Sequence, residues 1–124
     1  MKKTVLVVED ERLTRTCVVD TLEKYAMHCI EAANGQEALE ALSTRHCDLI
    51  LTDLQMPAMN GVELIKVLRE REKTAGDTPI PIVVLSSEKD EMVDAALQLG
   101  VDGYFAKSTS IETVVLKLQQ LLAD

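Results

Sequence analysis

Thr4-Val5-Leu6-Val7-Val8-Glu9-Asp10-Glu11 opens the chain with an apolar, mostly β-branched run that stops abruptly at three carboxylates. A run of this kind, with no polar residue alternating through it, suits a strand covered on both faces, as inside a parallel sheet. Leu49–Leu51 and Ile82–Leu85 read the same way. His28–Ala32 and Tyr104–Ala106 are weaker strands, assigned because each sits between two helical segments.

Between these strands the apolar period becomes helical. Over 12–26, Leu13, Cys17, Val18, Leu22 and Tyr25 form one stripe, and over 110–123 the stripe is Ile111, Val114, Val115, Leu118, Leu121 and Leu122. Gln36–Ser43, Val62–Arg71 and Asp90–Leu99 supply the other three helices, with Gly35, Gly61 and Gly100 at their ends. The longest connection runs from Glu72 to Pro81 and carries Gly76, Pro79 and Pro81. Five β-α units in succession predict right-handed crossovers and a doubly wound α/β sheet with helices on both faces.

Composition bounds what such a domain does. The 124 residues hold 13 Lys and Arg against 21 Asp and Glu, a net charge of −8, with 47% hydrophobic and 27% charged residues. That is one acidic globular domain over 1–124, large enough to bury about two-thirds of its chain's surface. The charge repels phosphate backbones and anionic lipid, so direct nucleic-acid or membrane binding is not expected of it. No apolar run approaches a bilayer span, and Lys2-Lys3 is followed by too short an apolar stretch for a signal peptide. Cys17, Cys29 and Cys47 are odd in number and lack C-x-x-C spacing, which predicts a reducing cytoplasm and three small buried side chains.

In an open parallel sheet, ligands bind beyond the carboxyl ends of the strands. There the strands end in Glu9-Asp10-Glu11, Thr52-Asp53, Ser86-Ser87 and Lys107-Ser108. Helix N-termini after the first, third and fourth strands are expected to face the same crevice. Glu9, Asp10 and Asp53 repel one another when packed without a cation, and hard oxygen ligands of this number suit Mg²⁺. Asp53, on a central strand, is then the candidate nucleophile toward a phosphoryl group, with Mg²⁺ and a lysine neutralising the oxygens. Taken singly, an Asp here reads equally as a helix N-cap, Lys107 as a surface charge and Ser86 as a cap. Their joint occurrence at one sheet edge carries the reading.

With these residues in place, the chain resembles the receiver domain of two-component response regulators, the family of the free-standing chemotaxis receiver, over essentially Val5 to Leu122. The matching motifs are Val7-Val8-Glu9-Asp10-Glu11; Leu51-Thr52-Asp53-Leu54-Gln55-Met56-Pro57 with Asn60-Gly61; Pro81-Ile82-Val83-Val84-Leu85-Ser86-Ser87; and Gly103-Tyr104-Phe105-Ala106-Lys107. The resemblance implies a flavodoxin-like five-stranded parallel sheet of order 2-1-3-4-5 with five helices. It implies that Asp53 takes phosphate from a phosphohistidine on a sensor histidine kinase or histidine phosphotransfer protein. Asp10, Asp53 and the main-chain carbonyl of Gln55 are implied Mg²⁺ ligands, with Glu9 acting through water. Lys107 is implied to pair with a phosphoryl oxygen, and Ser86 and Tyr104 to be the switch pair. Gln55 and Glu88 stand where side chains tune the lifetime of the acyl phosphate. The readout is implied to be the face of the fourth helix, fifth strand and fifth helix, toward a downstream output domain or protein. Arg12, Leu13, Thr14 and Arg15, opening the first helix, are implied to help dock the donor.

Two residues depart from the family pattern. Ser108 follows Lys107 where a proline after a cis bond is usual, so either the bond is trans with the loop re-routed, or strain is stored there. Ser87 stands in place of a small Ala, adding a hydroxyl near the phosphate or capping the fourth helix.

Other functions compete less well. A phosphohydrolase of the haloacid-dehalogenase type wants an acid two residues after its nucleophile, where Gln55 stands, and places that nucleophile on its first strand. A flavin-binding flavodoxin needs a neutral phosphate cradle where Glu9-Asp10-Glu11 stands. His28-Cys29 and His46-Cys47 could suggest zinc, but a strand between them would hold the pairs about 9 to 10 Å apart. A degenerate receiver serving as a phosphorylation-independent scaffold is the alternative that Ser108 keeps open. The domain is expected to assist its own phosphorylation and dephosphorylation rather than turn over external substrates. The kinase, the output, any domain beyond Asp124 and a phosphorylation-dependent dimer stay open.

Overall fold

The computed structural model describes residues 2–87 and 91–123. Five strands, β1 (Thr4–Val8), β2 (His28–Ala32), β3 (Leu49–Thr52), β4 (Ile82–Ser86) and β5 (Gly103–Ala106), alternate with five helices. These are α1 (Arg12–Lys24), α2 (Gly35–Thr44), α3 (Gly61–Ala75), α4 (Val93–Gln98) and α5 (Ile111–Leu122). All strand pairs are parallel, in the order β2-β1-β3-β4-β5 that the resemblance implied.

The unalternating apolar strands are covered on both faces. Leu6, Val8, Ile50 and Val84 pack into one core with Leu64, Ile65 and Leu68 of α3 and Ala38 of α2. Val5, Val7, Leu49, Leu51 and Val83 pack into a second core with Val18, Val19 and Leu22 of α1 and Val114, Val115 and Leu118 of α5. Removing such side chains from water stabilises the fold by roughly 1.5–3 kcal/mol each. The accessible surface of 6965 Å² is that of a compact chain of this mass.

Three sequence expectations need correction here. The α1 stripe is rotated: Val18, Val19 and Leu22 are buried, whereas Leu13 is 77% exposed, Tyr25 is 42% exposed and Cys17 faces solvent. Five apolar residues spread over one helix admit two phases, and packing against β1 and β2 selects the one centred on the Val pair. The cysteines are therefore not all buried; only Cys47 is, with Cys29 half-buried. The long connection also shrinks, because α3 continues past Arg71 to Ala75. Gly76, with φ of 72°, takes the left-handed position that ends it.

The fourth helix is shorter than 90–99 in its described part: α4 starts at Val93 with Met92 as N-cap, so Ser87 is not its cap. Met56, Met59 and Met92 pack against the core, as expected of gap-filling thioethers.

Candidate phosphoacceptor site

The crossovers bring the ends of β1, β3, β4 and β5 to one edge. Register places Val8 beside Thr52, and Ser86 beside Ala106, so Glu9, Asp53, Ser86 and Lys107 emerge as neighbours. The Asp53 amide continues the ladder by donating to the Val8 carbonyl at 2.9 Å. The Lys107 amide donates to the Ser86 carbonyl at 2.7 Å. Position along each strand thus translates directly into position in the site.

Asp53 is 4% exposed, Glu9 5% and Ser86 fully buried, while Asp10 is exposed. Carboxylate oxygens of Glu9, Asp10 and Asp53 lie within 4.8 Å of one another. Such a cluster needs cations, and Lys107 supplies one: its Nζ stands 2.8 Å from Glu9 Oε1 and 2.9 Å from Asp53 Oδ2. The other Asp53 oxygen accepts from its neighbour's amide, Leu54 N–H, at 2.7 Å. Glu9 Oε2 accepts from the Glu11 amide at 3.0 Å.

Charge follows this packing. Burial pushes the Glu9 carboxyl above its ordinary value and the Asp53 charge adds to the rise, against the hydrogen bonds from Lys107 and Glu11. For Lys107, burial works to lower the pKa, but the hydrogen bonds and charges of Glu9 and Asp53 together raise it, and the ammonium stays charged at neutral pH. Three hard-oxygen carboxylates, one of them open to solvent, form a donor set suited to Mg²⁺, which takes few carboxylates and keeps several waters.

The Lys107–Ser108 bond is trans, as are all peptide bonds among the described residues. The Lys107 side chain still reaches both acids without the usual proline, so the loop delivers it by a trans route.

Helix N-termini contribute less than expected. Among the described residues only α1 begins at the site, directly after Glu11. Residues 53–60 separate β3 from α3, so the backbone donor on Asp53 is the Leu54 amide rather than a helix terminus.

Tyr104 is half-buried on β5, packs against the core and donates from its hydroxyl to the Ser87 carbonyl at 3.4 Å. Gln55 is exposed beside Asp53, and Glu88 lies outside the described residues. The two His-Cys pairs do not converge: His28 Nε2 lies 3.3 Å from the Arg45 guanidinium, and His46 pairs with Asp48 at 3.1 Å.

Two residues matter more here than their sequence positions suggested. Gly61 packs so closely on the phosphoacceptor loop that a Cβ would stand 2.2 Å from the Asp53 carbonyl oxygen. Arg15 does not point outward with Arg12 and Leu13; its guanidinium donates to the Glu9 carbonyl at 2.7 Å and to Glu31 at 3.1 Å.

A family model described as the response regulator receiver domain matches residues 5–119. The chain belongs to the response regulator receiver family. Among curated proteins this receiver is 35% identical, over 97% of its length, to the phosphate regulon transcriptional regulatory protein PhoB of Pseudomonas aeruginosa, of which it covers 52%. It is also 35% identical to the alkaline phosphatase synthesis transcriptional regulatory protein PhoP of Bacillus subtilis, covering 49% of it. The chain thus spans about half the length of the curated relatives it matches. Among solved structures it resembles the chemotaxis response regulator CheY4 of Vibrio cholerae, with TM-score 0.85, 30% identity and coverage of 98% and 100% of the two chains. The receiver domain of Ssk1 from Saccharomyces cerevisiae, solved with the histidine phosphotransfer protein Ypd1, is similar at TM-score 0.86 and 30% identity, with 99% and 94% covered. This receiver is a signalling module of the two-component type, and among the described residues no helix is long and apolar enough to cross a membrane.

Proposed function

We propose that residues 1–124 form a phosphorylatable switch in which Asp53 accepts a phosphoryl group from a phosphohistidine. The observation that carries this reading is Lys107 Nζ, held between Asp53 Oδ2 and Glu9 Oε1 at 2.9 and 2.8 Å in the cluster that also includes Asp10.

An Asp53 carboxylate oxygen attacks phosphorus as the phosphorus–nitrogen bond of the donor breaks. The electron pair of that bond returns to the imidazole, and the product is an acyl phosphate. The Leu54 amide orients the carboxylate, and the Lys107 ammonium lies within reach of the incoming phosphoryl oxygens. Asp10, Asp53, the main-chain carbonyl of Gln55 and, through water, Glu9 would hold Mg²⁺, which when bound neutralises the charge on the phosphoryl oxygens.

Phosphorylation adds negative charge and acceptor oxygens beside Ser86, whose backbone carbonyl is tied to the Lys107 amide. We assign Ser86 and Tyr104 as the switch: Ser86 turns toward the phosphoryl group and Tyr104 follows into the space between β4 and α4. The altered surface is then α4, β5 and α5, presented to an output domain or protein, or to a second receiver. Gln55 and Glu88 are assigned to tuning water attack on the acyl phosphate.

For the donor, the Ypd1–Ssk1 complex supports a histidine phosphotransfer protein or a sensor histidine kinase. An apolar groove of about 330 Å³ beside Lys107, lined by Leu13, Thr14, Cys17, Thr109 and Ile111, offers such a partner an exposed leucine next to the site.

Incubation with Mg²⁺ and acetyl phosphate, followed by intact mass, tests the reading. One phosphate adduct is expected on the parent chain, and none on Asp53→Asn or in the presence of chelator. Absence of adduct on the parent, repeated with a phosphorylated histidine protein as donor, would reduce the chain to a phosphorylation-independent scaffold.

A further inference from the structure

Glu9 and Asp10 sit where β1 and β2 part company. The Glu9 amide donates to the Ala32 carbonyl at 3.0 Å, extending the ladder past the end of β1. Beyond Ala32 the chain turns into the α2 cap, with the Ala33 amide donating to Glu37 Oε1 at 3.0 Å and Asn34 capping the helix. The Glu9 carbonyl at this fork takes its hydrogen bond from Arg15, whose NH1 group stands 2.7 Å away. The same guanidinium donates through Nε to Glu31 of β2 at 3.1 Å, and the Arg15 side chain is only 17% exposed.

A peptide is planar, so fixing the Glu9 carbonyl fixes the whole Glu9–Asp10 unit, including the Asp10 Cα. Glu9 is additionally held through its side chain by Lys107 and the Glu11 amide. Asp10 differs: it is exposed, and among the described residues no hydrogen bond or ion pair holds its carboxylate. Its placement relative to Glu9 and Asp53 passes through the backbone that Arg15 clamps.

We propose that Arg15, braced by Glu31, is a positioning residue for the acidic pocket: it locks the Glu9–Asp10 peptide and so presets Asp10 for a divalent cation. The proposal rests on the reading of this pocket as the Mg²⁺ site. Its sign separates it from a plain charge effect. A guanidinium near a metal site repels the metal, so removing it as a charge tightens Mg²⁺ binding. Removing it as a clamp frees Asp10 and weakens binding.

The experiment measures Mg²⁺ affinity of the whole chain by calorimetry for the parent, Arg15→Met, Arg15→Lys and Glu31→Ala. Loss of an outer-shell brace typically weakens metal binding about ten-fold or more. Arg15→Met is expected at about ten-fold weaker on that scale. Arg15→Lys keeps the charge without the planar fork and is expected in between. Glu31→Ala, at a half-exposed position that leaves the core intact, is expected to weaken binding by less than Arg15→Met; because it also removes a negative charge, Arg15→Lys, which keeps the charge, carries the test if Arg15→Met fails to fold. Phosphorylation of Arg15→Met by acetyl phosphate should recover as Mg²⁺ is raised to saturation, which a general structural lesion would not allow. Unchanged or tighter Mg²⁺ binding in Arg15→Met, or in Arg15→Lys where that variant carries the test, overturns the clamp while leaving the site reading intact. A parent chain that binds no Mg²⁺ overturns both.

Discussion

Gly61→Ala sets two local preferences against each other, and the structure decides between them. Gly61 is the first residue of α3, and helix propensity alone favours Ala there by up to about 1 kcal/mol. Its backbone does not occupy the left-handed region, so no dihedral strain opposes the change. Space does. The added Cβ would stand 2.2 Å from the Asp53 carbonyl oxygen, 2.8 Å from Leu54 Cα and 2.9 Å from a Leu54 methyl. The first distance is roughly 1 Å short of ordinary contact and the obstacle is backbone, which cannot swing aside. Relief requires α3 and the 53–60 loop to separate, stretching the 2.9 Å hydrogen bond from the Gly61 amide to the Leu54 carbonyl.

Overpacking of this kind costs about 1–3 kcal/mol, and a buried hydrogen bond left unmade about 1–3 more. With the middle of each range taken and the helix gain subtracted, a net loss of about 3 kcal/mol is expected. At about 4 °C per kcal/mol for a domain of this size, the thermal midpoint falls by about 12 °C. Because Asp53 itself must shift, phosphorylation by acetyl phosphate at a temperature where the variant is fully folded should slow about 10²-fold. Thermal unfolding by circular dichroism and a mass-based time course read the two effects. A midpoint that rises, as helix propensity alone demands, or a phosphorylation rate within two-fold of the parent, would refute this account of the Asp53–Gly61 contact.

Burial raises the Glu9 pKa above 4.5, so between that value and its folded value the native state binds the extra proton and metal-free stability falls as pH rises. Glu9→Gln should flatten that decline in a pH series of chemical denaturations without metal, and a slope identical to the parent's would contradict the burial argument. Arg69 ties two loops to α3 at the opposite sheet edge, donating to the Ile80 carbonyl at 2.9 Å and the Gly100 carbonyl at 2.9 Å and pairing with Glu72 of its own helix at 2.8 Å. Arg69→Met removes the donor from both carbonyls and leaves Glu72 with the Ile80 amide alone, and it is expected to cost roughly 2 kcal/mol in urea unfolding. Among the thiols, exposed Cys17 should react at once with a thiol-specific disulfide reagent at pH 8. Burial pushes Cys29 to about 12 and Cys47 to about 11, so both are expected to react only on unfolding, and more than one fast thiol per chain would count against the burial described.

The sheet was legible because strands buried on both faces cannot alternate: Thr4–Val8, Leu49–Thr52 and Ile82–Ser86 announce themselves by unbroken apolar character. The candidate site was legible for a related reason, since Glu9, Asp53, Ser86 and Lys107 each follow such a run and parallel strands end at one edge. Helix faces were harder. Cys17 and Leu13 share an apolar periodicity with Leu22, and only contact with the sheet reveals that they stay in water. The end of α3 is set by Gly76, whose left-handed conformation stops the helix after Ala75, whereas the apolar periodicity alone ends at Arg71. Arg15 reads in the sequence as one of the residues opening the first helix to dock the phosphodonor, because nothing in a linear sequence says that the Glu9 carbonyl six residues away needs a hydrogen-bond donor.

Strand count, helix count and the edge at which the acids gather follow from chain-local patterns, since apolar runs, periodicity and turn residues act within a few positions of themselves; the strand order is implied only by the family resemblance, because which strand lies beside which is a relation between segments. What waited for the tertiary structure were relations between separate elements of the fold, whether 54 residues apart like Lys107 and Asp53 or six like Arg15 and Glu9. The Lys107 ammonium 2.9 Å from Asp53, the Arg15 clamp on Glu9 and the absence of room for a methyl at Gly61 are of this kind. Each depends, to within about an ångström, on the spacing between elements that is set by packing of the whole core, and close packing propagates such spacings through contacts that no single segment encodes.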